Sequence, residues 1–301
     1  MSHEQRATAR AVITKPDLSR TPDEQRDDFN EQFGDLPLGD DVILSPRTLG
    51  GVPALDVQVE GADGDAVIFY LHGGGYVIGS ARTGANLAAP LARRTGAPAV
   101  SLDYRLAPES PFPAAVDDGL AAYKDLLGSG RRIVIAGESA GGGLALAIML
   151  AARRDGLPLP AAAVLFSPWT DLSLSGASMD TRGDFDPLFS RAHMATFAVH
   201  YLAGHDPRDE LASPLLADLT GLPPLLIQVG SAEVLLDDAL RLAMRAAEQE
   251  VDVSLDVVAG APHVYPLMVG LMDEADEALD HAATFVKKRL VATRTRSGAA
   301  G

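Results

Sequence analysis

The sequence predicts an α/β fold with a mostly parallel central sheet flanked by helices, and three observations predict it. Short apolar and β-branched runs recur at 55–59, 66–71, 97–102, 132–136, 162–166, 225–229 and 253–258. Longer stretches with helical spacing lie between most of them, most clearly 84–94, 114–127, 139–154, 237–250 and 273–290. The strand runs are nearly continuously apolar, which is how parallel strands read when helices cover both faces of the sheet. At 301 residues, 47% hydrophobic and 22% charged, folding buries roughly 75% of the surface an unfolded chain exposes, so one elaborated domain is enough.

Taken in order, residues 1–40 are polar and acidic, with scattered Phe29, Phe33 and Leu36, and read as one or two helices without a strand, a helical cap region. The catalytic body is expected over 41–290. The 66–71 strand runs into His72-Gly73-Gly74-Gly75-Tyr76, and the 132–136 strand into Gly137-Glu138-Ser139-Ala140-Gly141 followed by a Gly/Ala/Leu helix. The long gap at 167–224 has no convincing strand and carries His193, His200 and His205. It reads as a helical insertion at the C-terminal edge of the sheet, where α/β folds keep their sites. The tail, 291–301, is expected to fray.

Composition narrows the function. Lys and Arg number 25 against 41 Asp and Glu, a net charge of −16, and such a field repels nucleic acid and anionic membrane surfaces. No cysteine is present, which removes disulfides, thiolate nucleophiles and Cys-ligated metal centres. No run approaches the ~18 apolar residues of a membrane span, and the N-terminus has no apolar signal core. The expected address is the cytoplasm.

The chemistry sits in the turns. A strand, tight turn and helix around Gly-x-Ser-x-Gly is how a nucleophilic serine is held: flanking glycines leave room for a strained turn that lifts the Ser139 hydroxyl above the sheet. Three glycines after the 66–71 strand leave backbone N–H groups free to point into a cavity, so Gly73 and Gly74, with Ala140 beside the nucleophile, are the expected oxyanion donors. His72 stands on the wrong side of the glycines for a base and reads as a residue that shapes the loop. Chain order for such a serine is serine, acid, histidine, which selects His263, in the loop after the last strand. His3 precedes the serine, His193, His200 and His205 lie in the insertion, and His281 sits on the final helix. The acid should follow the 225–229 strand. Glu233 lies in that loop, whereas Asp237 and Asp238 stand where the next helix begins and can serve as its capping and first-turn residues. Glu233 is favoured, with both aspartates as alternatives.

Together His72-Gly-Gly-Gly75, Asp103-Tyr-Arg-Leu-Ala-Pro-Glu109, Gly137-Glu-Ser-Ala-Gly141, Ser167-Pro-Trp-Thr-Asp171 and the 230–238 loop resemble the bacterial hormone-sensitive-lipase-like carboxylesterases, over about residues 43–290. The resemblance implies an α/β-hydrolase fold with a helical cap, carboxylester hydrolysis and no cofactor or metal. It assigns Ser139 as nucleophile, His263 as base, and Gly73, Gly74 and Ala140 as oxyanion donors. That family more often carries Asp at the Glu233 position, which keeps Asp237 as the alternative acid. The 30-residue interval from Glu233 to His263 matches the family's. Asp103, Arg105 and Trp169 read as scaffold, a buried charge pair and a packing aromatic, and Glu138 as a residue with at most a supporting role. Relatives often dimerise through the last strand, here 253–258, so the resemblance implies a homodimer through that sheet edge. The expected substrate is a small, short-acyl ester. Lactone and amide hydrolysis are alternatives on the same triad. A non-catalytic small-molecule receptor on this fold would have lost the histidine, which this chain keeps. A peptidase would ordinarily carry a large gating domain, and an interfacial lipase an exposed apolar lid.

Overall fold

The computed structural model describes Gln5 and residues 14–297, with side chains as far as Val291. Residues 1–4 and 6–13 of the expected cap region, and 298–301 of the expected tail, lie outside the described residues. Eight strands form one sheet: β1 (Val42–Leu49), β2 (Val52–Val59), β3 (Ala66–Leu71), β4 (Ala99–Leu102), β5 (Arg132–Glu138), β6 (Ala162–Phe166), β7 (Leu225–Gly230) and β8 (Val253–Val258), in spatial order β1-β2-β4-β3-β5-β6-β7-β8. From β4 to β8 every neighbouring pair is parallel, while β1 and β2 run antiparallel at one edge.

The helices are α1 (Pro22–Phe33), α2 (Ala81–Thr95), α3 (Ala114–Leu127), α4 (Ala140–Arg154), the short α5 (Ser178–Thr181), α6 (Arg191–Leu202), α7 (Leu236–Glu248) and α8 (Asp273–Ser297). Strand residues alternate between two cores. Val67, Phe69 and Leu71 of β3 join Tyr123, Leu144 and Leu242 on one face. Ile68 and Tyr70 join Leu87, Leu91, Leu279 and Val286 on the other. Trp169 is fully buried in the first core. Among the described residues, no helix is long and apolar enough to cross a membrane.

Three expectations change. The stretch before residue 52 contains β1, an edge strand with Pro46 and mostly half-exposed or exposed positions, so it lacks the apolar run that marks a buried strand. Helix α8 continues beyond residue 290 to Ser297. The Asp103–Arg105 charge pair does not form: Arg105 pairs with Asp118 at 2.7 Å, its side chain more than half exposed, while Asp103 accepts the Ala81 N–H at 3.0 Å. The two residues flank Tyr104, which is buried, and both of their own side chains face outward.

Helix α1 begins with a capping box in which Thr21 and Glu24 satisfy each other's N–H groups, with Pro22 in the first turn. It is clamped to the body. Arg26 donates to the Val77 and Ala107 carbonyls and forms a bidentate pair with Glu109, and Asn86 of α2 donates to the Phe33 carbonyl.

Candidate active site

Strand order brings distant turns to one edge. The C-terminal ends of β3, β5, β6, β7 and β8 lie side by side, and from them come His72, Ser139, Ser167, Glu233 and His263. Ser139 adopts φ 54°, ψ −120°, a conformation that costs a non-glycine residue free energy and persists where the surroundings hold it. Its neighbours hold it closely: a Cβ on Gly141 would stand 2.0 Å from the Leu71 carbonyl oxygen, and one on Gly137 2.4 Å from the Gly141 carbonyl oxygen. Only glycine lets the turn pass that close to β3. The Ser139 N–H donates to the Phe166 carbonyl, and helix α4 starts at the next residue.

Glu233 is completely buried, and its carboxylate is fully engaged. Oε2 lies 2.5 Å from His263 Nδ1, while Oε1 accepts the Ser167 hydroxyl at 2.8 Å and the Gly230 N–H at 2.7 Å. Burial pushes this carboxyl above the usual range, opposed by the imidazole and the Ser167 hydroxyl. Burial pulls His263 down, but the Glu233 carboxylate, with Asp186 and Glu138 nearby, outweighs it and holds the imidazole above its ordinary value. A carboxylate on Nδ1 keeps that nitrogen protonated and leaves Nε2 as the basic atom of the neutral ring. Nε2 is buried and makes no hydrogen bond among the described residues.

A chain with this serine turn, this acid–histidine pair and this sheet can be placed among known proteins. A sequence profile of the α/β-hydrolase fold family matches residues 68–267. The acetyl-hydrolase of Streptomyces hygroscopicus is 45% identical over 266 residues, 87% of each chain, and the ethyl acetate hydrolase of Pseudomonas putida 34% identical over 224, covering 71% of this chain and 70% of its own. The crystal structure of an esterase from the bacterial hormone-sensitive lipase family superposes with a TM-score of 0.92 at 42% identity, covering 96% of this chain and 99% of that one. The chain belongs to the bacterial hormone-sensitive-lipase-like family of α/β-hydrolases.

In this hydrolase the glycine loop departs from expectation at one position. The Gly73 N–H is not free: it donates to Glu138 Oε1 at 2.6 Å. The β3–β5 register pairs Leu71 with Gly137, so the side chain after Gly137 meets the first turn beyond β3. Burial pushes the Glu138 carboxyl up to about 7. A buried carboxyl takes whatever donor it can reach, because leaving it unpaired costs several kcal/mol, about the scale for a polar group without a partner. Among the described residues, the N–H groups of Gly74, Gly75 and Ala140 have no protein acceptor. His72 is buried, its Nδ1 2.6 Å from the Gly73 carbonyl and its ring stacked on Tyr104. Burial lowers its pKa to about 4, so it is neutral and Nδ1–H donates to that carbonyl.

The hydrolase's two aspartates also differ from their expected use. Helix α7 has no side-chain cap. Asp237 instead accepts the Ser178 N–H, and Asp238, fully buried, accepts the N–H groups of Thr170 and Asp171. Both tie the 167–224 segment to α7. Burial raises the Asp238 carboxyl to about 7.

Sequence reasoning missed Asp186. It is 2% exposed, accepts the Leu188 and Phe189 N–H groups through Oδ1 and the Val234 N–H through Oδ2. It therefore fastens the 186–189 turn to Val234, next to Glu233, and sets Phe189 edge-on to His263, centroids 5.2 Å apart. Nothing short of the folded contact marks one Asp among 41 acidic residues for this task. Phe189 also lines a cavity of about 480 Å³ with Phe29, Phe33, Ile78 and Leu188. Phe197 of α6 closes over the glycine loop, where a Cβ on Gly75 would lie 2.6 Å from its ring. No three His, Asp or Glu side chains among the described residues are grouped to hold a metal.

Proposed function

We propose that this hydrolase cleaves small carboxylic esters through an acyl-enzyme, with Ser139 as nucleophile, His263 as general base and Glu233 as the acid that orients it. The observation that carries the reading is the buried Glu233–His263 contact of 2.5 Å on the strand edge that also presents Ser139 in its strained turn. Ser139 attacks the ester carbonyl and gives its proton to His263 Nε2, and Glu233 stabilises the imidazolium. The imidazolium then protonates the departing alcohol. Water, activated by the same nitrogen, releases the acid. The negative charge on each tetrahedral intermediate falls to the N–H groups of Gly74 and Gly75 in the glycine loop and of Ala140 at the N-terminus of α4, none of which has another acceptor among the described residues; each such donor contributes about 3 kcal/mol. This moves the donor set one glycine along from Gly73, which Glu138 occupies.

The described residues 14–40, with 167–224, form the cap in this reading. The Arg26 clamp, the Asp237 and Asp238 contacts and the Phe189 contact to His263 support it. Phe29, Phe33, Ile78 and Leu188 give the cavity beside Phe189 apolar walls among polar ones such as Lys15, Asp28 and Glu31, which suits a short acyl group, as do the substrates that the acetyl-hydrolase and ethyl acetate hydrolase names carry. Esters with acyl chains of about two to eight carbons should turn over faster than those of about sixteen, measured on a graded series of p-nitrophenyl esters. Faster hydrolysis of palmitoyl than butyryl esters contradicts the cap. A cytoplasmic address and a homodimer through β8 belong to the same proposal; β8 is the outer strand, and Val257 on it is 45% exposed.

The pH profile tests the base. His263 must be neutral to accept a proton, and its pKa is held above the ordinary 6.5. Activity should therefore climb with pH through a midpoint above that value and level off on the alkaline side. A profile flat down to about pH 4.5, far below any histidine midpoint of this direction, rules out a histidine base.

A further inference from the structure

The fully buried Ser167 has no part in the cycle above, yet its hydroxyl touches both of the turns that the cycle needs. It donates to Glu233 Oε1 at 2.8 Å and accepts the Val264 N–H at 3.0 Å. One O–H proton and one lone pair are thus both committed, and neither role can be reversed: a carboxylate only accepts and a backbone N–H only donates. The position is held in an unfavourable backbone conformation. Ser167 has φ 46° and Val264 φ 50°, two non-glycine residues in the left-handed region that meet across this hydroxyl. The Ser167 N–H donates to the Gln228 carbonyl at 2.7 Å, which anchors it to β7 just before the acid loop.

We propose that Ser167 is a positioning residue for the Glu233–His263 pair, its hydroxyl joining the carboxylate of one to the backbone next to the other so that the acid and the histidine keep their contact. The proposal rests on the triad reading above. Ser167 is shut off from solvent and meets no substrate, so it acts through Glu233 and the His263 loop. Among the described residues, its hydroxyl is the only side-chain donor to Glu233 other than His263. The charged or titratable groups that face this pair besides its own members are Asp186, Glu138 and Tyr265, and substituting Ser167 leaves all three in place.

Ser167→Gly is the informative variant, because glycine accepts the left-handed conformation while the hydroxyl is lost together with its Cβ; Ser167→Ala is the companion that keeps the Cβ and loses only the hydroxyl. Both should lower kcat about tenfold to a hundredfold with KM little changed, the scale of a catalytic group misplaced by a fraction of an ångström to 1 Å. The acid limb of the pH profile should move to higher pH, because a carboxylate without its hydroxyl donor gains more from an imidazolium beside it. In a Glu233→Gln background, Ser167→Gly should cost less than about threefold, since the two act as a unit. Wild-type kcat and an unmoved acid limb in Ser167→Gly, with only a lower Tm, overturn the proposal and leave Ser167 a fold residue. Full additivity with Glu233→Gln overturns it as well. Glu233→Ala and His263→Ala run alongside: if these keep their activity the triad itself falls, whereas if they are crippled and Ser167→Gly is not, only the role of Ser167 does.

Discussion

Ser139→Ala should lower esterase turnover by about six orders of magnitude, since members of a nucleophile–base–acid unit are not independent and removing the nucleophile or the base forfeits what all of them contribute. The residual rate then comes from the oxyanion donors and substrate binding alone. His263→Ala should lose a similar factor, and the double variant little more than either single one. The fold should survive: Ser139 supplies no side-chain cap to α4, and its backbone bonds to Phe166, Trp169 and the first turn of α4 do not involve the hydroxyl. Circular dichroism and Tm are the controls. Retention of more than about a hundredth of wild-type turnover, against a loss expected in the millions, would assign the nucleophile elsewhere.

Glu233→Ala should cost about four orders of magnitude in turnover, the loss that follows when the histidine is no longer held in the correct tautomer. The two nearby aspartates separate cleanly from it. Asp237→Ala frees one backbone N–H at Ser178 and should cost roughly 1 kcal/mol of stability, the net worth of an ordinary hydrogen bond. Asp238→Ala leaves two buried N–H groups at Thr170 and Asp171 without their acceptor and should cost about 1–3 kcal/mol or more. Neither carboxylate hydrogen-bonds to His263, so kcat should change far less than in Glu233→Ala. Glu233→Asp is the finer probe: one methylene shortens the reach to Nδ1, and a shift near 1 Å is worth about a hundredfold. A crippled Asp237→Ala beside an active Glu233→Ala would make Asp237 the acid.

The strained-serine turn was readable without coordinates because its requirements are local. Strand, Gly-x-Ser-x-Gly and helix follow one another, and each glycine answers a steric demand at its own position. The buried parallel strands were readable for a similar reason: with helices on both faces, every residue must be apolar, so 66–71 and 162–166 match β3 and β6 end to end. Strand β1 escaped because an edge strand open to solvent carries no such demand, and its Pro46 argues against a strand. Glu233 and His263 could be selected by chain order and loop position, a weaker warrant than contact.

By itself, then, the sequence determined the α/β class, the serine turn, the glycine loop and a short list for acid and base, all from neighbours close in the chain. Partnerships across the sheet edge were decided only by the tertiary structure. Whether the Gly73 N–H stays free depends on the β3–β5 register that carries Glu138 to it. Whether Asp237 and Asp238 cap α7 or bind the 167–224 segment depends on where that segment packs. The tasks of Ser167 and Asp186 exist only once β6, β7 and β8 lie side by side. The physical reason is common to all of them: a buried polar group must find a partner, and which partner it finds is set by proximity in space between residues that can be tens of positions apart in sequence.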